Sequence, residues 1–234
     1  MNGVVYIAKG GHKLTDHMKE LNYSVSSLKE VHPDLPVTLF TSKDYEAKAC
    51  NLFDKIIVRD KLADREKQNL LPESPYERTL YIDTDTKIIE PIDSLFGLLD
   101  RFDIAACIDH SRKLRKTAAV WSAYDAVPAS FSEFAGGVIL VRKSAETDSF
   151  FELWRRNYKE WCEVSGLQND QPSFRVSLWQ SGLRVFVLPP EFNIRTKGYH
   201  NIKPRILHFH NMNDNSARKA LENWHKMNPG KRME

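Results

Sequence analysis

The chain has 234 residues, 41% hydrophobic and 28% charged, and a formal net charge of +3. That is the make-up of an ordinary soluble globular protein, long enough to bury a substantial core, with no internal repeat or low-complexity segment. The mild positive charge suits anionic ligands such as nucleotides, but without a basic stripe interleaved with aromatics it speaks against nucleic acid.

Cys50, Cys107 and Cys162 are few, odd in number and far apart, which suggests neither a disulfide framework nor a zinc site. A reducing, cytoplasmic setting is the expectation. Met1-Asn2-Gly3 leads straight into a strand-like run, without a signal-like segment. No apolar stretch is long enough to span a bilayer, so any membrane contact is expected to be peripheral.

Val4 to Ala8 reads as a first buried strand, followed by the loop Lys9-Gly10-Gly11-His12-Lys13. Met18, Leu21, Val25 and Leu28 recur at spacings of three and four, predicting a helix that ends before Pro33. Val37 to Thr41 predicts a second strand, Ser42 the cap of a short helix, and Lys55 to Val58 a third strand. A helix is expected over Asp64 to Leu71, closed by Pro72 and Pro75, and a fourth strand over Thr79 to Ile82. Strands alternating with helices predict an α/β fold with a mainly parallel twisted sheet covered on both faces.

Asp93 is expected to cap a helix carrying Leu95, Leu98 and Leu99, before a strand over Phe102 to Ile108. Residues 109–133, with the basic cluster Arg112-Lys113-Arg115-Lys116, show no clear period and read as a mobile or substrate-facing segment, or as a solvated loop. Gly137 to Val141 predicts a strand, and Ser144 opens a long helix whose aromatic stripe, Phe150, Trp154, Tyr158 and Trp161, reads as core. Asn169 or Asp170 is placed to cap a helix running to Gly182, and Val185 to Leu188 predicts a strand. Arg205 to His210 predicts a last strand, and the tail from Asn215 an amphipathic helix. One domain is expected rather than two.

The chemistry centres on Tyr81-Ile82-Asp83-Thr84-Asp85, where a buried strand ends in two carboxylates one residue apart. Paired loop aspartates often do no more than cap a turn. At the end of a strand in an open α/β sheet, where ligands bind, the same pair can hold a divalent cation whose other positions are filled by a diphosphate and water. His208 and His210 close another predicted strand, and alternation places both on one face. On spacing alone they are core imidazoles or ligands; added to two carboxylates, an imidazole suits Mn2+ better than Ca2+.

Five separated motifs then occur in a recognisable order: Tyr81 to Asp85, Phe134-Ala135-Gly136-Gly137-Val138-Ile139-Leu140, Asn169-Asp170-Gln171, Leu188-Pro189-Pro190-Glu191-Phe192-Asn193, and Ile206-Leu207-His208-Phe209. In this order the chain resembles the GT-A fold glycosyltransferases, and most of all family 8, the glycogenin and galactosyltransferase-like group. The resemblance runs from about Val4 to His210. It implies a single GT-A domain: a nucleotide-binding half (1–90) ending in the Asp-x-Asp motif, a half for donor sugar and acceptor (91–214), and a C-terminal helix (215–234).

The resemblance also implies roles. Asp83, Asp85 and His208 would bind Mn2+ or Mg2+, with Asp83 also reaching the donor. Lys67, sixteen positions before Asp83, would contact the donor; a surface helix lysine is the plain alternative. Ile7 and Ala8 would line the base pocket, and Gly136 and Gly137 would let the backbone pass close to the donor sugar. Asp170 and Gln171 would stand near the anomeric carbon. The implied activity is transfer from a nucleotide sugar, UDP-linked in the first instance, to an acceptor hydroxyl, with retention. Acceptors would be read by residues 109–133 and 194–204. The chain departs from the family at Ala135, where an Asn is usual, and at Asp214, near which a phosphate-binding Lys is usual; Arg218 or Lys219 would have to fold back to replace it. A sugar-phosphate nucleotidylyltransferase and a non-catalytic nucleotide-sugar or carbohydrate-binding module are the competing readings.

Overall fold

The computed structural model describes residues 1–9, 14–46, 51–109, 115–195 and 202–209, with Glu222 and Lys226. Apolar runs become strands and the three-and-four spacings become helices: β1 (Asn2–Ala8), α1 (Leu14–Val31), β2 (Val37–Ser42), α2 (Lys43–Glu46), β3 (Lys55–Arg59), α3 (Lys67–Leu70), β4 (Arg78–Ile82) and β5 (Thr86–Ile88). The chain continues through β6 (Ile104–Ile108), α4 (Arg115–Ala118), α5 (Ser122–Asp125), β7 (Phe134–Arg142), α6 (Ala145–Ser165), α7 (Gln171–Gln180), β8 (Val185–Leu188) and β9 (Ile206–His208).

Seven strands form one sheet in the order β3-β2-β1-β4-β7-β6-β8, while β5 pairs with β9 in a separate ribbon. Every neighbouring pair in the large sheet is parallel except those made by β7, which opposes β4 and β6. The mainly parallel sheet expected from the sequence is thus present. Alternation along the strands sorts the core into two layers. Val4, Tyr6, Leu80 and Ile82 pack with Leu21, Val25 and Leu28 of α1. Val5, Tyr81 and Ile139 point the other way, against Phe150 and Trp154 of α6 and Phe174 of α7. Full burial of each such side chain is worth about 1.5–3 kcal/mol.

The long α6 has the start its sequence predicts. Ser144 Oγ accepts from the Thr147 N–H, the Thr147 hydroxyl accepts from the Ser144 N–H, and Gly166 ends the helix at φ 69°.

Elsewhere local chemistry changes the expected elements. The helix expected over 64–71 starts only at Lys67, because the Glu66 carboxylate accepts from the Ala63 N–H at 3.3 Å and the Asn69 amide at 2.6 Å and folds the approach into a turn. Pro72 lies inside a 3-10 turn, Leu71–Glu73, rather than closing a helix. Asp93 is the first residue of a 3-10 helix, Asp93–Asp100; the cap position falls to Ile92, which is fully buried and donates its N–H to His32 Nε2 at 2.9 Å.

Residues 115–127 are not a solvated loop. Ala118, Trp121, Tyr124 and Val127 pack on Trp161 and Val176 in a cluster of their own. The Trp121 indole N–H donates to Glu160 Oε1 at 2.8 Å. Two helices of four residues are too short to write a period into the sequence.

Gly10 to Lys13, Cys50, Arg112, Lys113, His210, Asp214, Arg218 and Lys219 lie outside the described residues, as does the expected terminal helix apart from Glu222 and Lys226, both helical. Among the described residues no helix is long and apolar enough to cross a membrane.

Candidate metal and donor site

The end of β4 is where the sheet delivers its chemistry. Asp83 follows Ile82 directly, and its N–H donates to the Gly137 carbonyl at 2.8 Å, so β7 fixes the turn as the strand ends. Tyr81 donates its hydroxyl to Asp83 Oδ1 at 2.5 Å. Asp85 is brought back by the ribbon, in which Thr86 lies opposite His208. The Phe209 N–H donates to the Asp85 carbonyl at 2.8 Å.

That register explains the cluster. His208 Nε2 stands 3.1 Å from Asp85 Oδ1 and 3.6 Å from Asp83 Oδ2. One ligand atom from each of the three residues lies within 4.8 Å of the others. The opposite ring nitrogen, Nδ1, is 2.9 Å from Asn193 Oδ1, an oxygen that only accepts, so Nδ1 carries a proton. Nε2 is thereby aimed at two carboxylates. The donor set, two hard oxygens and one imidazole oriented by a second hydrogen bond, fits Mn2+.

Lys67 enters from α3, only 6% exposed. Its Nζ donates to the Gly136 carbonyl at 2.7 Å and lies 3.1 Å from Asp83 Oδ1 and 3.6 Å from Asp170 Oδ2. It also sits 4.9 Å above the Tyr81 ring. Burial works against the ammonium, but Asp83 and Asp170 outweigh it and hold its pKa above the ordinary lysine value. Burial likewise opposes the Asp83 carboxylate; Lys67 and then His208 overcome it, and its pKa falls below the usual range. Lys67 is therefore not the plain surface lysine.

The glycine pair has an internal reason to be glycine. A Cβ on Gly137 would overlap the His208 ring, and one on Gly136 would stand 3.3 Å from Lys67 Nζ. Both residues make room for the charged groups of the site.

Asp170 occupies the cap position of α7 without capping it: no side-chain cap bond forms, and the carboxylate faces Lys67 instead. Its Oδ2 is buried without a hydrogen-bond partner among the described residues. Gln171 donates from Nε2 to Asp109 Oδ2 at 2.9 Å, just beyond β6. At the end of β1, Ile7 is half-buried and Ala8 buried, and the pairing of Val5 with Tyr81 sets that end beside the end of β4.

Asp83, Asp85, His208, Lys67, Gly136, Gly137 and Asp170 thus meet in one place, while Gln171 is tied to Asp109. Asn193, which orients His208, and Asp109, which holds Gln171, had no assigned role in the sequence. Asn193 closes a motif visible in the sequence, so its position was legible though its contact was not.

The sequence matches no protein-family model and no curated protein. Solved structures resemble it throughout. Galactosyltransferase LgtC, in complex with donor and acceptor sugar analogs, aligns with a TM-score of 0.61 at 15% identity over 95% of each chain. Mouse xyloside xylosyltransferase 1 aligns with a TM-score of 0.58 at 14% identity, over 89% of this chain and 97% of that one. The glycosyltransferase GlyE of Streptococcus pneumoniae TIGR4 gives 0.62 at 14% identity, over 95% of this chain and 60% of GlyE. The chain has the GT-A glycosyltransferase fold that its motifs predict.

Proposed function

We propose that this protein is a metal-dependent glycosyltransferase that moves a sugar from a nucleoside diphosphate, UDP in the first instance, to an acceptor hydroxyl with retention. One observation carries the reading: the convergence of Asp83, Asp85 and His208 within 4.8 Å at the end of a central strand of a GT-A fold. These residues would hold Mn2+, or Mg2+ in its place, and the bound ion would supply positive charge to a diphosphate leaving group.

The chain's own groups supply the rest. Lys67, buried and charged, adds a fixed cation beside Asp83. Ile7 and Ala8 form part of the base pocket, and Gly136 and Gly137 keep the backbone narrow where the donor sugar lies. In the transfer, the bond between the anomeric carbon and the diphosphate oxygen breaks, its electron pair staying with the diphosphate. The acceptor oxygen forms the new bond, and its proton passes to the departing diphosphate. Asp170 steadies the positive charge that develops on the sugar, and Gln171, next to it in the chain and held through Nε2 by Asp109, is the second polar side chain assigned to that region. Positioning of the acceptor supplies much of the rate.

The reading assigns the nucleotide to residues 1–90 and the sugar and acceptor to 91–214. A reducing, cytoplasmic setting is part of the same proposal; Cys107 and Cys162 form no disulfide among the described residues.

Incubation with Mn2+ and a panel of nucleotide sugars, without acceptor, is expected to release nucleoside diphosphate slowly from one donor, and a chelator is expected to stop it. Release of pyrophosphate from a nucleoside triphosphate and a sugar phosphate would indicate a nucleotidylyltransferase instead. Metal-dependent UDP binding with no turnover of any donor would indicate a binding module.

A further inference from the structure

The ribbon that carries His208 back to the two acids is gripped by α1. On one edge of β5 the Ile89 N–H and the Asp85 carbonyl bond to Arg205 and Phe209, on the β9 side; alternation turns the Ile88 N–H to the other edge. There Ser27 Oγ accepts from it at 3.0 Å and donates to the Ser24 carbonyl at 2.7 Å. Ser24 Oγ lies 2.7 Å from Thr86 Oγ1, and Thr86 is the residue paired with His208. Two serines one helical turn apart thus hold β5 at two points, two residues apart on the strand.

Ser24 also stands in the middle of a chain of hydroxyls. Tyr6 Oη is 3.0 Å from Ser24 Oγ, and at the far end Thr86 Oγ1 donates to the Asp83 carbonyl at 2.9 Å. Tyr6, Ser24 and Thr86 are all fully buried. Each hydroxyl has one proton, which fixes the direction of the chain. A carbonyl only accepts, so Thr86 spends its proton on Asp83; Ser24 then donates to Thr86, and Tyr6 to Ser24. Burial, against a smaller effect of the Ser24 hydrogen bond, pushes the Tyr6 hydroxyl above the ordinary tyrosine value, so it keeps the proton it donates. Each donor in such a chain polarises the next.

Packing alone does not call for these hydroxyls. Tyr6 lies in the apolar layer of Leu21, Val25, Leu28, Ile82 and Ile88, where apolar groups of the same shape could replace a hydrogen-bonded pair at little loss. What the chain delivers is a donor to the backbone of Asp83, in the turn that also carries Asp85.

We propose that Ser24 is a positioning residue of the metal site: through Thr86 it locks the turn from Asp83 to Thr86, holds the two carboxylates converged on His208 before an ion arrives, and so raises metal affinity. The assignment rests on the metal reading of Asp83, Asp85 and His208.

Free Mn2+ counted by electron paramagnetic resonance, without substrate, tests it. Ser24→Ala is expected to weaken Mn2+ binding about fivefold and Thr86→Val about tenfold, while Thr86→Ser, which keeps the hydroxyl, stays within about twofold of the wild type. Thr38 and Tyr76 supply the control, because their buried hydroxyls meet at 2.8 Å near the opposite end of the strands. Tyr76→Phe is expected to lower the thermal midpoint about as much as Ser24→Ala and to leave Mn2+ affinity unchanged. Wild-type affinity in Ser24→Ala, or equal weakening in Tyr76→Phe, would reduce the chain to a structural tie and overturn the assignment. A wild type that binds no Mn2+ would overturn the metal reading, and this assignment with it.

Discussion

At His208 two demands meet: the ring is 3% exposed, and it faces two carboxylates that repel one another. Asn193 resolves which nitrogen does what by accepting from Nδ1 at 2.9 Å, which leaves Nε2 for the acids or for a cation. Orienting partners of this kind are usually worth ten- to a hundredfold in metal affinity. Asn193→Ala is accordingly expected to weaken Mn2+ binding by about that factor, measured by calorimetry without substrate, while the thermal midpoint of the metal-free protein moves little. Equal Mn2+ affinity in the two proteins would show that Asn193 orients nothing. The acids and His208 were legible in the sequence because each ends a strong apolar run. The partner of His208 was not, because Asn193 reaches it through the 3-10 turn Pro190–Phe192, and a contact made by a turn leaves no periodic mark.

Polar ties add to burial in holding the strands together, and β6 shows this at the edge of the sheet opposite the site. Just before it, Asp103 accepts from Arg142 at the end of β7 at 2.5 Å, and from the Arg184 backbone N–H and guanidinium, just before β8, at 2.9 and 2.8 Å. The hydrogen bond from Arg184, against some burial cost, pulls the Asp103 carboxyl from its ordinary 3.8 to about 2. A carboxyl lowered on folding stabilises the protein above its unfolded value and loses that contribution as pH falls through the folded one. The window is therefore pH 4 to 2, and with Arg184 exposed to solvent the effect is about 1–2 kcal/mol. Urea unfolding of Asp103→Asn is expected to show that deficit at pH 7 and little of it near pH 2. A deficit independent of pH would assign the effect to packing. Among the elements, β1, β2, β4 and β8 were readable from strand-like runs of four or five residues. The last strand, β9, was likewise expected, within Arg205 to His210; the three-residue β5 was not set apart in the sequence, since its pairing with β9 is what tells strand from loop. The cluster around Trp121 was hidden for the same reason: its order comes from α6 and α7.

Across the whole molecule, parallel strands carry their ends to one edge of the sheet, and the one reversed strand, β7, brings Gly136 and Gly137 to that edge from the opposite direction. The ribbon of β5 and β9 then returns His208 from near the end of the described chain. Fold class was legible because the alternation of strands and helices spans the chain; the site was legible as a set of residues, and its geometry only through this topology. The central claim is that Asp83, Asp85 and His208 hold a divalent cation that in turn binds a nucleoside diphosphate. Calorimetric titration of UDP with and without Mn2+, into the wild type and into Asp85→Ala, tests it most directly. The account predicts UDP binding in the wild type only when Mn2+ is present, and none in Asp85→Ala under either condition; unchanged, Mn2+-dependent binding in Asp85→Ala would contradict it.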